Sequence, residues 1–187
     1  MKKPTWCYKK PIIDNLEEIQ QELNLELLKY NRGVYNFSRI KSEEVKEQLP
    51  LASTLLQDMG LYDRWSHVIL VKVENEQWNP HIDCFDWKVN SYSFNIPLKN
   101  CENSYTVFYE GNIINEKPQK NKYMRGTDES HRTVDPESLV EICRVDANQP
   151  LWINTTIPHT PIVYHKKPRL NACFRFIPEI HDYFDND

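Results

Sequence analysis

From Trp65 to Phe176 the chain is a succession of short β-rich runs, and no other feature limits its fold as strongly. Eight segments qualify: SHVILVKV, the stretch carrying His81 and Asp83, VNSYSFNIPL, SYTVFYEG, SLVEICRV, PLWIN, PIVYH and RLNACFRF. Each is rich in β-branched or aromatic residues and bounded by turn formers, the signature of a strand. Upstream the period is helical. Leu16, Ile19, Leu23, Leu27 and Leu28 recur at helical spacing, Asp14 stands where a cap belongs, and Glu17 and Glu18 suit the positive end of the dipole; together they predict a helix over roughly 14–29. A second helical region opens at Ser42, is divided by Pro50 and ends at Gly60. No repeat or linker interrupts the chain. The expectation is one mainly β domain over 1–187, with a helical buttress at 1–60 and a double-stranded β-helix, the jelly-roll of two facing sheets, at 65–177.

A chain of 187 residues is long enough to bury about 70% of the surface its unfolded form exposes, so it has room for a functional cavity. Its net charge of −4 argues against a protein whose main partner is a nucleic-acid backbone, since such domains are usually basic. No apolar run approaches the roughly 20 residues of a membrane span, so no membrane partner is expected. The basic start MKKPTWCYKKP is followed by no apolar core of a signal peptide, which points to an intracellular, cytoplasmic location. Five cysteines, an odd number without a Cys-x-x-Cys pair, fit neither a full disulfide framework nor a structural zinc site; reduced thiols are expected. Cys84 adjoins Asp83, and an inert buried thiol is the expectation there.

Within the strands, chemistry gathers in two places. His81 and Asp83 are two residues apart, so on an extended backbone an imidazole and a carboxylate project from one face. They supply two of the three ligands of the 2-His-1-carboxylate arrangement that holds non-haem Fe(II) with positions left open. Far downstream His159 offers the second imidazole, just before the expected partner of a closing strand on which Arg169, Asn171, Cys173 and Arg175 share a face. Ser91, Ser93 and Asn95 form the polar side of an alternating strand, and Asn95 is a candidate contact to a co-substrate or to the ligands themselves. His67, His131, His165 and His181 sit in no paired motif and are expected in packing or at the surface. The polar stretch from Gly111 to Pro136 is long for a connection in a compact domain and is read as a lid. Its Lys117, Lys120, Lys122 and Arg125 are read as a solvated charge run.

Taken together these residues resemble the Fe(II)/2-oxoglutarate-dependent dioxygenases, over the region from about Trp65 to Phe176. The resemblance implies that His81, Asp83 and His159 bind the iron and serve catalysis. It implies that Arg169, ten positions after His159, holds the far carboxylate of 2-oxoglutarate, with Asn171 and Asn95 nearby. Fe(II), 2-oxoglutarate and O2 are then the cofactors, succinate and CO2 are released, and an aliphatic C–H bond is hydroxylated. Arg175 is the rival for the co-substrate, but it lies six residues further along, about 20 Å at ~3.3 Å per residue. The run WINTTIPHTPIVYHKKPRL is similar to the small prolyl- and aspartyl/asparaginyl-hydroxylase-type members, which implies a peptide residue or amino acid as substrate. Arg169-x-Asn171-x-Cys173-x-Arg175 is also similar to the closing Arg-x-Asn-x-Thr-x-Arg pattern of oxidative nucleic-acid demethylases. Their Asn-x-Tyr pair is replaced here by ENEQWNP, which lowers that reading. A cupin-like metal protein or isomerase, or a silent binding module on the same jelly-roll, remains the alternative of another class. Substrate identity and oligomeric state are not legible.

Overall fold

The computed structural model describes residues 6–30, 37–73, 79–85, 88–89, 92–114, 119–120, 129–164, 166–177, 180 and 183–184, with the backbone alone at 37, 84–85, 88–89, 119–120 and 129–133. The elements run β1 (Tyr8–Lys9), α1 (Leu16–Leu27), β2 (Phe37–Lys41), α2 (Ser42–Val45), α3 (Pro50–Asp58), β3 (Trp65–Val73), β4 (His81–Phe85), β5 (Lys88–Val89), β6 (Tyr92–Lys99), β7 (Ser104–Glu110), β8 (Gln119–Lys120), β9 (Glu129–Thr133), β10 (Val140–Asp146), β11 (Leu151–Asn154), β12 (His159–Val163) and β13 (Arg169–Phe176). The strands form two antiparallel sheets, one ordered β1-β11-β6-β13-β3-β2 and the other β10-β7-β12-β4-β9-β8, with β5 pairing β4. This is the double-stranded β-helix, mainly β with helices at the N-terminal side. Among the described residues no helix is long and apolar enough to cross a membrane.

The helices cover the outer face of the first sheet because their apolar stripes match that sheet's outward side chains. α1 begins after Asn15 rather than at Asp14 and presents Ile19, Leu23 and Leu27, all fully buried, while Leu25 on its other side is exposed. These pack with Ala52 and Leu56 of α3 against Tyr92, Phe94 and Ile96 of β6 and Ala172, Phe174 and Phe176 of β13. Full burial of each large apolar side chain is worth about 1.5–3 kcal/mol, so this layer carries most of the driving force. Pro50 occupies the first turn of α3, where its missing N–H costs nothing. The free N–H groups of that turn are met from outside: Glu22 of α1 accepts from the amides of Leu51 (2.8 Å) and Ala52 (2.9 Å). Gly60, at φ 68°, closes the helix in the left-handed region.

Three sequence expectations need correction. β12 and β13 are not partners: β12 lies between β7 and β4 in the second sheet, while β13 lies between β3 and β6 in the first, because successive strands here cross from one sheet to the other. The strand read as PIVYH starts earlier, at His159. Pro161 fits inside it because β12 meets β4 only at His159 and is paired on one side beyond that. The stretch read as a lid is not all loop. It contains β8 and β9, with β9 paired along β4 from His81↔Thr133 to Phe85↔Glu129, and Ile113 bridges Val134. Residues 115–118 and 121–128 of that stretch, with Lys117, Lys122 and Arg125, lie outside the described residues, as do Ser91, His165, His181 and the side chains of Lys120, Cys84 and His131.

Candidate metal centre

β13 shows how the site is made. All eight of its residues are buried, with apolar Ala172, Phe174 and Phe176 toward the helices, so Arg169, Asn171, Cys173 and Arg175 must point between the sheets. Register extends this inner face sideways: Cys173 lies opposite Asn95 of β6, and Arg175 opposite His67 of β3. Ser93 donates to Asn95 Oδ1 on the same face, and Asn171 Nδ2 donates to Cys173 Sγ at 3.0 Å. Toward β11 the interior becomes apolar, with Leu151 and Ile153 packed on Phe108 and Val145 of the second sheet. The polar half of the cavity is therefore bounded by β13 and β6 on one side and by β4 and β12 on the other.

On the second sheet His81 and His159 stand directly opposite each other across the β4–β12 ladder, with ring centroids 5.0 Å apart. Asp83, two residues along β4, joins them, and one ligand atom from each of the three lies within 4.8 Å of the others. His81 Nε2 is 3.4 Å from Asp83 Oδ1 and His159 Nε2 is 3.7 Å from Asp83 Oδ2. The three residues singled out from spacing thus converge.

Both imidazoles are oriented by the same local device. Each histidine follows a proline, Pro80 or Pro158, and its Nδ1 bonds the carbonyl of the residue before that proline: Asn79 O at 3.0 Å for His81 and Ile157 O at 2.9 Å for His159. Proline fixes its own φ and confines the preceding residue to extended backbone, so that carbonyl is held in place. A carbonyl only accepts, so Nδ1 carries a proton in both rings, and Nε2 of each ring faces Asp83.

Arg175 completes the cluster: its Nη2 donates to Asp83 Oδ2 at 2.6 Å. Burial alone would push the Asp83 carboxyl up, but the guanidinium, backed by the two imidazoles, holds it well below the usual carboxylate range. Burial lowers both histidines. At His159 burial wins and the imidazole falls to about 4, whereas at His81 the hydrogen bond and charge of the nearer Asp83 outweigh it and the imidazole is raised. Sequence reasoning had weighed Arg175 only as a rival for a co-substrate; its pairing with Asp83 across the sheets was not foreseen. Arg169 is 4% exposed, and its Nε and Nη1 are buried without a hydrogen-bond partner among the described residues. The Cys101 thiol lies beside this guanidinium and donates to Leu170 O at 3.2 Å; burial pushes it up.

Two imidazole nitrogens and one ionised carboxylate on adjoining strands are a donor set suited to a divalent transition metal such as Fe(II), with coordination positions to spare. Comparison with solved structures gives the same architecture. The epimerase SnoN, solved with Fe3+, alpha-ketoglutarate and nogalamycin RO, aligns over 90% of this chain and 77% of its own at 12% identity, with a TM-score of 0.54. A second structure of SnoN, a non-heme alpha-ketoglutarate-dependent epimerase from nogalamycin biosynthesis, covers 95% of this chain and 83% of its own at 14% identity and a TM-score of 0.53. The likeness is one of fold. E. coli ycfD aligns over 79% of this chain at 16% identity and a TM-score of 0.42, and the chain spans only 35% of that protein's length. No protein-family model and no curated protein sequence matches the chain.

Proposed function

We propose that the protein is an Fe(II)- and 2-oxoglutarate-dependent oxygenase that hydroxylates an aliphatic C–H bond of a peptide residue or an amino acid. The observation that carries the reading is the convergence of His81, Asp83 and His159, with both Nδ1 atoms tied to backbone carbonyls and both Nε2 atoms turned toward Asp83. Ferrous ion bound there supplies the redox chemistry by which O2 is consumed, 2-oxoglutarate is converted to succinate and CO2, and the substrate C–H bond is hydroxylated.

The chain's own residues prepare that chemistry. Arg175 keeps Asp83 ionised and fixes the direction of its carboxylate, so the charge that balances a divalent cation is present before the ion arrives. Arg169 presents buried, unmatched N–H donors on the inner face of β13, a costly arrangement unless an anion answers it. A planar guanidinium suits the distal carboxylate of 2-oxoglutarate through two parallel hydrogen bonds. Asn171 and Asn95 line the same face beside it, as does Ser93, and exclude apolar contact from that part of the cavity. Among substrates, the acidic net charge disfavours a nucleic-acid backbone.

Anaerobic titration of the metal-free protein with Fe(II), with and without 2-oxoglutarate, tests the class. A visible charge-transfer band requiring both supports the proposal, and Fe(II) binding that is indifferent to 2-oxoglutarate moves the protein to the cupin-like metal-binding alternative. Succinate release in the presence of free amino acids, peptides or alkylated oligonucleotides then separates the substrate classes.

A further inference from the structure

Two thiols meet at the apolar end of the sandwich, away from the polar cluster. Cys7 precedes β1, which pairs with β11 in the first sheet through Tyr8↔Ile153; its carbonyl accepts from the Asn154 amide at 2.9 Å. Cys143 lies on β10 in the second sheet, opposite Phe108 in register. Both pack on the same small cluster of Phe108, Val145, Leu151 and Ile153, and the Cys143 thiol is near enough to act on that of Cys7. The pair thus spans the gap between the sheets at the point where Tyr8 stacks on Phe108, with ring centroids 6.3 Å apart. Both cysteines are partly exposed, whereas Cys101 and Cys173 are buried.

We propose that Cys7 and Cys143 are a redox modification site: a low-molecular-weight disulfide oxidises them to an intramolecular disulfide that staples β1 to β10 across the sandwich. The expectation of reduced thiols then describes these two positions only before oxidation. The reaction is two successive thiol–disulfide exchanges. The Cys143 thiolate attacks one sulfur of the small disulfide, forming a mixed disulfide and expelling one thiolate, which takes up the proton. Cys7 then attacks Cys143 Sγ, forming the intramolecular bond and expelling the second small thiol. Two electrons pass from the protein thiols to the small disulfide, which leaves as two thiols.

The order follows from the surroundings. Cys7 is pushed up to about 11, first by burial and then by the charge and hydrogen bond of Cys143, which makes it a slow nucleophile while Cys143 is a free thiol. Once Cys143 is in the mixed disulfide, its charge and its thiol hydrogen bond are gone and two of the three causes that raise Cys7 are removed. Closing the bond brings two sulfurs that pack on one small cluster to about 2.05 Å. The bond joins residues far apart in sequence, the case in which a crosslink restricts the unfolded chain most. It also fixes the packing of Phe108, whose other side lies against the His159 ring at 6.1 Å.

The test uses the full chain, incubated with oxidised or reduced glutathione, alkylated and mapped by mass spectrometry without reduction. Oxidised glutathione is expected to yield a Cys7–Cys143 crosslinked peptide, with two fewer alkylated thiols. The midpoint of thermal unfolding should rise by roughly 5–10 °C and return to its starting value on reduction. In Cys7→Ser the crosslink should be replaced by a glutathione adduct on Cys143, and in Cys143→Ser by one on Cys7. Separate glutathione adducts on both cysteines of the unsubstituted chain, or no change at either, overturns the proposal. A crosslink without a rise in midpoint overturns the stapling role.

Discussion

The two faces of β13 are both buried, yet they are built for different surroundings. Toward the helices stand Ala172, Phe174 and Phe176; toward the second sheet stand Arg169, Asn171, Cys173 and Arg175, on the same eight residues of backbone. Alternation of this kind is what a strand with one wet face also shows, so the pattern alone does not separate surface from cavity. Burial does. A polar face with no bulk water must be satisfied by protein or by ligand, and here it is met only in part: Arg175 gives Nη2 to Asp83, Asn171 has Cys173, and Nε and Nη1 of Arg169, like those of Arg175, have no side-chain or backbone acceptor among the described residues. The apolar face holds the fold and the polar face is left for chemistry.

The sharpest way to break this division is to remove Asp83. Asp83→Ala takes away one of the three proposed metal ligands and strips Arg175 of its counter-charge, so Fe(II) retention and succinate release should both fall to background. The far-ultraviolet circular dichroism should stay that of the parent, since no apolar contact of the helix-covered face is touched. Metal content after anaerobic loading and gel filtration checks the first point. A variant that binds Fe(II) like the parent would remove this cluster from the reaction.

The converse substitution is Phe174→Ala on the other face. Phe174 is about 1% exposed and packs at ring distances of 5.4 Å from Trp65 and 6.0 Å from Phe94. Cutting it to Ala should cost about 3–5 kcal/mol of unfolding free energy, read from denaturant melts. The fraction still folded should bind Fe(II) with parental affinity. If affinity fell in step with stability, the two faces would not be separable.

A smaller contrast lies within the polar face. Lys keeps the charge of Arg but not its planar fork. Arg169→Lys should raise the Michaelis constant for 2-oxoglutarate by about tenfold or more, the scale of one lost charge-assisted hydrogen bond. Arg175→Lys should instead loosen Fe(II), because Arg175 acts through Asp83. The reverse ranking in a succinate-release assay would transfer the co-substrate to Arg175.

Much of this was legible because strands obey a period of two. RLNACFRF delivered β13 with both its ends and the inner face, and His81-x-Asp83 delivered two neighbours of the cluster. His159 could be placed beside them only through the joint pattern, since nothing local says that it faces His81. The Arg175–Asp83 bond was hidden for the same reason: spacing along a strand orders residues on one sheet and says nothing of which residue faces them from the other. β9 was lost because Glu-Ser-His-Arg-Thr carries no apolar alternation, and its ladder with β4 is a backbone matter. The X-Pro-His repeat at 79–81 and 157–159 was in plain sight and could have marked both histidines of the cluster.

The smallest expected effect tests the layer that supports the apolar face. Glu22 sits on α1, yet its carboxylate accepts from Leu51 and Ala52 at the start of α3, so one side chain both caps a helix and fixes the approach of two. A helix start without such an acceptor leaves its first amides to water, and losing a cap typically costs about 1 kcal/mol. Glu22→Ala should therefore destabilise the protein by roughly that amount. Glu22→Gln, which keeps an acceptor oxygen but loses the charge near the positive end of α3, should cost less. Neither should alter Fe(II) affinity or the Michaelis constant for 2-oxoglutarate, because α1 and α3 lie behind the sheet whose other side carries Arg169. If Glu22→Ala shifted either constant, the helical layer would be coupled to the cavity through β13, and its two faces would have to be treated as one mechanical unit.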